Sequence, residues 1–463
     1  MLYLFNTLSK TKELFVPINA SQVKMYVCGP TVYDYIHIGN ARPVVVFDTL
    51  YRVLKYLYKD VVYVRNITDV DDKIINRSRE NNELPAVLTQ KTIKSFHEDI
   101  AKINAIAPTF EPKATNYIAK MIAMIESLIS HGYAYVARGH VYFDVKSYPD
   151  YGQLSGISME EILHGARIEV SDLKKNSEDF VLWKPAAVED NCGWDSPFGY
   201  GRPGWHMECS AMSVDLLGEN FDIHGGGKDL IFPHHENEIA QSVCYFHRDA
   251  DENRHQHNNV ANYWVHNDFV VVDGQKMSKS LGNFTTLNAA LKKHHGEVVR
   301  LSLLKTHYRS PLDFSQKSLQ ESTETLDKFY DFLNSSQHIA EKPSKPNAEF
   351  LSALCDDLNT HLAISILYKM LNEAKSNPSV EAKSQLLASA NMLGLLYENP
   401  QDWFTLKTSK LKITENEIEQ LLEKRSIAKQ NKDFKESDRI RDYLGSLDII
   451  IEDSPTKTTW RIK

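Results

Sequence analysis

Cys28 closes an alternating apolar run, Val23, Met25 and Val27, just before a Gly-Pro turn and the tetrapeptide "HIGN" at His37 to Asn40. A second thiol, Cys209, lies in "WHMECS", and "FPHHENE" sets His234 and Glu238 at i and i+4, a spacing that turns two side chains of a helix toward one spot. Two thiolates, an imidazole and a carboxylate are the donors of a tetrahedral zinc site, and mixed ligands from remote segments suit a working site better than a staple. The paired C-x-x-C knuckles of structural zinc are absent. The same residues also read as two small buried hydrophobes beside a solvated helix start, so spacing alone leaves both readings open.

A second chemistry is written in glycines and lysines. "HIGN" follows a strand and opens a helix, where free N–H groups and the helix dipole favour phosphate, and the small Gly39 lets a nucleotide lie close to the backbone. "GQKMSKS", Gly274 to Ser280, leads with glycine and carries Lys276 and Lys279 among hydroxyls, a set able to stabilise charge on a transferred or departing phosphate. A short basic loop is more often plain solvated surface; it is the pairing with "HIGN", in this order, that favours the phosphate reading. "HGGGKD", 224–229, lacks the G-K-[ST] of a phosphate loop and reads as tight backbone lining a site.

These residues need a scaffold. Val23, Met25 and Val27 predict a strand ending at Cys28, Phe47, Leu50, Leu54 and Leu57 recur at helical spacing, and "DVVYVRNIT" at 60–68 predicts the next strand. Strand, helix and strand in so short a span make a βαβ unit and a parallel sheet, with ligands expected outside the carboxyl ends of the strands, where Cys28, His37 and Thr68 fall. Between 116 and 204 short strands and a Gly-, Pro- and Asp-rich stretch read as an insertion, and doubly wound character returns near 205. From about 285 the chain reads as helical; Thr414 and Glu417 make a capping-box pattern and Gly445 suits a helix stop.

The chain of 463 residues is too long for one core. No apolar run of membrane-spanning length occurs, and the start lacks the basic, then apolar, character of a secretory signal, so a cytoplasmic protein without membrane attachment is expected. Five scattered cysteines argue against a disulfide framework; Cys192, Cys244 and Cys355 read as core, and His247, His255 and His257 as a polar surface cluster. The formal charge of −8 disfavours nucleic acid only if evenly spread. It is not: Lys424 to Arg441 holds seven Lys/Arg against three Asp/Glu.

"HIGN" and, far downstream, "KMSKS" resemble the two signatures of the class I aminoacyl-tRNA synthetases. With "CGPTVYDYIHIGNAR", "RNITDVDDKI", "GWHMECSAM" and "HGGGKDLIFPHHENE" the chain resembles, nearly end to end, the cysteinyl-tRNA synthetases of that class. "HIGN" departs from the commoner "HIGH", but Asn is usual in the cysteine enzymes; "EDSPTKTTWRI" is a slightly altered form of their terminal motif. The resemblance implies activation of L-cysteine by ATP, with magnesium, and transfer to the cysteine tRNA by a monomer. It implies one zinc ion on Cys28, Cys209, His234 and Glu238, ATP against His37 and Asn40, phosphates against Lys276 and Lys279, and cysteine against Thr68, Trp205 and Asp229.

The implied architecture is α/β: a Rossmann-like parallel-sheet catalytic domain (1–115 and 205–265) with a connective insertion (116–204), a KMSKS-loop stem-contact region (266–315), an α-helical bundle (316–404) and a small C-terminal anticodon-binding domain (405–463). Two rivals remain at this level: a ligase coupling cysteine to an amino sugar, which would lack the last domain, and a non-catalytic zinc-dependent RNA-binding protein. The role given to the lysines has a direct test. Lys279→Ala is expected to slow adenylation by a factor of about 10²–10³, the scale of losing one transition-state charge partner, with cysteine binding little changed; pyrophosphate-exchange rates close to the parent's would remove the role.

Overall fold

The structure, a computed structural model, describes residues 1–157, 172–246, 260–272, 275–276, 284–408, 413–447, 449–453 and 458–462. Lys279 and the cluster His247, His255 and His257 lie outside these residues, and Lys276 is described by its backbone alone. The chain forms two compact units, Met1–Thr325 with Glu341–Leu395, and Leu326–Ala340 with Leu396–Lys463.

In the first unit β1 (Tyr3–Asn6) and β2 (Thr11–Leu14) pair as a hairpin ahead of β3 (Gln22–Val27). α1 (Ile38–Leu57) then crosses to β4 (Asp60–Arg65), which lies parallel to β3, as the apolar periodicity predicts. The His37 ring caps α1 by accepting from the Asn40 N–H, and Phe47, Leu50 and Leu54 are buried along its inner face. α2 (Asp72–Asn81), α3 (Pro85–Lys102) and α4 (Ile118–Ser130) follow. β5 (Ala134–Ala137), β6 (His140–Phe143), β7 (Phe180–Pro185) and β8 (Gly201–Pro203) make a separate antiparallel sheet in that order. Arg138 and Gly139 join β5 to β6 with φ of 49° and 80°, the positive pair of a type I′ turn.

α5 (Trp205–Leu217) returns the chain to β9 (Phe221–Gly227), and α6 (Glu236–Tyr245) leads on to β10 (Ala261–Asn267). The main sheet is fully parallel with order β10-β9-β3-β4, so the ends of β3, β9 and β10 open on one side. At Gly225 a Cβ would run into the Phe47 ring, so only glycine lets α1 lie this close to β9. β11 (Val270–Val272) pairs with β12 (Gln275–Lys276) and, past α7 (Leu287–Lys293) and α8 (Gly296–Leu304), with β13 (Leu312–Asp313).

α9 (Gln316–Ser335), α10 (Ala348–Cys355), α11 (Thr360–Ser376), α12 (Val380–Met392) and α13 (Pro400–Thr408) supply the expected helical stretch. α14 (Glu415–Gln430) begins on the expected capping box of Thr414 and Glu417 and packs with α15 (Phe434–Ser446) and the hairpin of β14 (Ile449–Asp453) and β15 (Thr458–Ile462) around Ile418, Leu422, Ile440, Leu444 and Ile449. Gly445 does not end α15; the helix runs on to Ser446, and the Leu447 N–H closes the last turn on the Gly445 and Leu444 carbonyls. No helix among the described residues is long and apolar enough to cross a membrane.

α1 is held from behind by Asp48. Its buried carboxylate accepts from Arg52 Nε at 2.8 Å, from the Ile106 N–H at 2.7 Å and from Arg300. Other guanidinium N–H groups donate to carbonyls in the last turn of, or just past, two helices: Arg52 to Asn104 O at 2.6 Å and Asn391 O at 2.9 Å, Arg300 to Ile103 O at 2.9 Å and to Leu393 O. Those carbonyls carry the negative ends of α3 and α12, which is where two cations sharing one carboxylate can stay buried. Asp48→Ala strips the shared acceptor from both, and an equilibrium denaturant melt is expected to show a loss of about 3–5 kcal/mol.

Candidate functional site

Three remote segments meet at the carboxyl ends of β3 and β9. Cys28 follows β3 with its N–H on Gly225 O at 3.1 Å, Cys209 lies one turn into α5, His234 in the turn before α6, and Glu238 in the first turn of α6. The sequence spacing predicts His234 and Glu238 on one helix face; the chain kinks at Phe232 (φ −134°, ψ 132°) just before His234, and His234 Nε2 lies 3.1 Å from Glu238 Oε1. Cys28 Sγ is 3.6 Å from Cys209 Sγ and 3.3 Å from Glu238 Oε1.

These donors fit a cation. One donor atom from each of the four lies within 4.8 Å of the others, and all are buried. A tetrahedral ion at the usual zinc–sulfur and zinc–nitrogen distances sets its ligand atoms roughly 3.3–3.8 Å apart, close to the spacings found. Glu238 Oε2 and the ring nitrogens His224 Nδ1 and His235 Nε2 are buried with no hydrogen-bond partner among the described residues. Burial drives the Cys28 thiol well above its ordinary value, with Cys209 and Glu238 adding to it, and it raises Cys209 and Glu238 as well. Burial, helped by His206, holds His234 well below the usual histidine range. Every member is thus biased to its neutral form; a bound divalent cation reverses that bias for the two thiols and the carboxylate and uses it in His234, whose neutral imidazole is the ligand form.

Around the four runs a shell that the motifs did not announce. The Trp205 ring stacks on His234 at 4.1 Å, and His206 Nδ1 lies 2.9 Å from His234 Nδ1. His224, on β9, offers Nε2 at 3.5 Å from Cys28 Sγ and 3.4 Å from Glu238 Oε2, so Cys28, His224, His235 and Glu238 form a second overlapping donor set. His235 is held by His266 at 2.8 Å. "HGGGKD" points to backbone and hides its histidine; the signal that finds His224 is its place three residues from the end of a buried parallel strand.

An open cleft of about 350 Å³ adjoins the cluster and is lined by Cys28, His37, Asn40, Trp205, Asp229 and the wall Asn267–Val270, among others. Thr68 is buried behind this surface, donating to Glu208 Oε2 at 2.8 Å and accepting from Asn66 Nδ2 at 3.2 Å. Asn66 Oδ1 in turn accepts from the Gly29 N–H at 2.8 Å. Among the described residues the structure therefore brings Cys28, His37, Asn40, Trp205 and Asp229 to one cleft, with Cys209, His234 and Glu238 buried beside it and Thr68 one layer back. β12 brings the backbone of Lys276 against Val271.

Comparison with known proteins extends these observations. Residues 14–324 match the family "tRNA synthetases class I (C) catalytic domain", 349–398 the "DALR domain" and 414–461 the "Cysteinyl-tRNA ligase anticodon binding domain". The chain is 49% identical over 466 residues to the cysteine–tRNA ligase of Paramagnetospirillum magneticum, covering 99% of each chain. It is 48% identical over 465 residues to that of Rhodospirillum rubrum, again covering 99% of each. Its fold is similar to a methionyl-tRNA synthetase of Mycobacterium tuberculosis in complex with methionyl-adenylate, with TM-score 0.57, 12% identity, and 81% of this chain and 89% of that one covered.

The cluster makes a prediction of its own. Elemental analysis is expected to find about one divalent cation per chain, and Cys209→Ser to lose much of it, because a hard oxygen replaces a soft thiolate. Since protons compete for the raised thiols and carboxylate, retention should weaken as pH falls; a cation held equally by parent and variant across that titration would remove the assignment.

Proposed function

The chain belongs to the cysteine–tRNA ligases of the class I aminoacyl-tRNA synthetases, and from that premise we propose how its own residues carry the reaction. It is an enzyme that joins cysteine to tRNA with ATP, and a buried Cys/His/Glu cluster suited to a metal stands beside its cleft. We infer that the metal is zinc, held by Cys28, Cys209, His234 and Glu238, and that ATP enters with magnesium. Held by these four residues, zinc would supply a Lewis acid that favours a substrate thiolate over serine's harder and far less acidic hydroxyl.

The observation that carries this reading is the meeting of the thiol cluster and the start of α1 in one cleft. Shape alone separates cysteine from serine by only ~1–3 kcal/mol, so soft donors at the cleft give a selectivity that packing cannot. Trp205, stacked on the His234 ring, walls the cleft where the substrate lies, and the Asp229 carboxylate suits the substrate ammonium. Thr68, fixed by Glu208 and Asn66, keeps the adjoining backbone in place: its N–H bonds Pro30 O at 3.2 Å and its carbonyl accepts from Val32. His37 and Asn40 at the start of α1, and Lys276 and Lys279, serve ATP and its phosphates. The substrate carboxylate is already the nucleophile, so no general base is required, and catalysis is positioning plus stabilisation of phosphate charge.

The C-terminal helices suit the tRNA. Of the seven cations between Lys424 and Arg441, Arg425, Lys429 and Arg441 all converge on Asp453, whose carboxyl they hold far below the usual range, and Arg439 pairs with Glu436. Lys424, Lys432 and Lys435 enter none of these pairs, which leaves them to phosphate contacts. Ending the chain after Thr408 removes α14, α15 and the final hairpin while keeping the cleft. Cysteine-dependent pyrophosphate exchange is then expected to persist and charging of cysteine tRNA to collapse. A truncated chain that charges tRNA as well as the parent would refute the tRNA role given to that segment, and absence of exchange in the parent itself would refute the adenylation reading.

A further inference from the structure

Arg42 is fully buried one turn into α1, and its guanidinium spends its hydrogen bonds on backbone. One terminal nitrogen donates to Asp268 O and Phe269 O, both at 2.7 Å; the other donates to Ser310 O at 2.7 Å and His307 O at 3.2 Å. The nearby Asp268 carboxylate directs its hydrogen bonds elsewhere, accepting from Lys228 Nζ at 3.0 Å and from the Phe269 N–H at 2.7 Å, and acts on Arg42 through its charge alone. Burial lowers the Arg42 pKa to about 10, the Asp268 charge offsetting part of the shift, so it remains a cation at neutral pH with its N–H groups on four carbonyls.

What those carbonyls belong to gives the arrangement its meaning. Asp268 and Phe269 lie in the cleft wall Asn267–Val270, opposite His37, Gly39 and Asn40. Phe269 leads into β11, whose Val271 pairs with Lys276, and the Phe269 carbonyl also accepts from the Leu312 N–H at 3.0 Å. The same end of α1 is tied to the chain beyond the KMSKS sequence: Ile38 N–H donates to Thr285 O at 3.1 Å, Leu287 N–H to Ile36 O at 2.8 Å, and the His37 ring meets Phe284 edge-on at 5.3 Å. One helix start therefore fixes the cleft wall and the described residues on both sides of that lysine-bearing sequence.

We propose that Arg42 is a positioning residue for adenylation, setting the wall Asn267–Val270 and the strand that leads to Lys276 against the start of α1, so that ATP meets both at once. It touches no substrate. Only a planar fork of N–H groups reaches two pairs of carbonyls lying to either side of it; the compact ammonium of lysine does not span them. Because the cysteine-selecting cluster is anchored on β3, α5 and α6, loss of the fork should separate the two substrates. The proposal rests on the adenylation reading of the cleft.

The test compares full-length parent, Arg42→Lys and Arg42→Gln for thermal melting, metal content, cysteine affinity by titration, and kinetics of cysteine-dependent pyrophosphate exchange. Both variants are expected to be folded at the assay temperature with metal content and cysteine affinity kept. Their kcat/KM for ATP is expected to fall about 10- to 100-fold, the scale of a misplacement near 1 Å, and lysine is expected not to rescue it. Arg42→Lys at parental kinetics, an equal loss for cysteine and ATP, or failure of both variants to fold would each overturn the proposal. An inactive parent would instead overturn the adenylation reading beneath it.

Discussion

Desolvation of the Cys28, Cys209, His234 and Glu238 cluster is the constraint around which the first unit is arranged. Among the described residues the Glu238 carboxylate is helped by the Cys28 thiol, but burial outweighs this, and the imidazoles close by are driven neutral by their own burial, with His206 held near a pKa of about 3. Such a cluster is costly to keep unless a cation joins it. The fold accepts that cost at the carboxyl edge of the parallel sheet, where β3 and β9 deliver Cys28 and His224 from adjacent strands and α5 and α6 deliver the other donors from one side.

The same edge explains the glycines. β9 ends in Gly225, Gly226 and Gly227; a side chain at the first would strike Phe47 and at the second His235 and Leu230. Bulk there would push α1 off the sheet or the imidazoles off the cluster. The glycine run is thus the place where helix packing on one face and donor placement on the other demand the same residue. It does not act as a phosphate loop.

Much of this was legible in the chain because it is local. Alternation in Val23 to Val27, helical spacing from Phe47 to Leu57 and the Thr414–Glu417 box each report a single element, and each element formed. The fold class and the four cluster residues could be named once the motifs stood together, since thiols, imidazole and carboxylate announce their chemistry by type. Arg42, Asp48, Asn66 and Glu208 could not, because nothing in an isolated arginine or acid tells which backbone carbonyls, from segments hundreds of residues away, it will meet. Gly445 shows the converse: a stop residue is only permissive, and α15 runs one residue past it to Ser446.

α1 connects these two kinds of information. At its start His37 and Asn40 face the cleft, one turn on Arg42 gathers the backbone of 268–269 and 307–310, and further along Asp48 gathers Arg52 and Arg300 with the ends of α3 and α12. Its ties run through carbonyls and a shared carboxylate; those of the thiol cluster run through sulfur, imidazole and the strand ends of β3 and β9. Among the described residues the two networks meet across the cleft and at Gly225, where Phe47 of α1 packs on β9 and the Cys28 N–H bonds the same strand. On the proposed reading, in which one substrate is held by its sulfur and the other by its phosphates, this division lets each pocket be braced largely by its own buried groups.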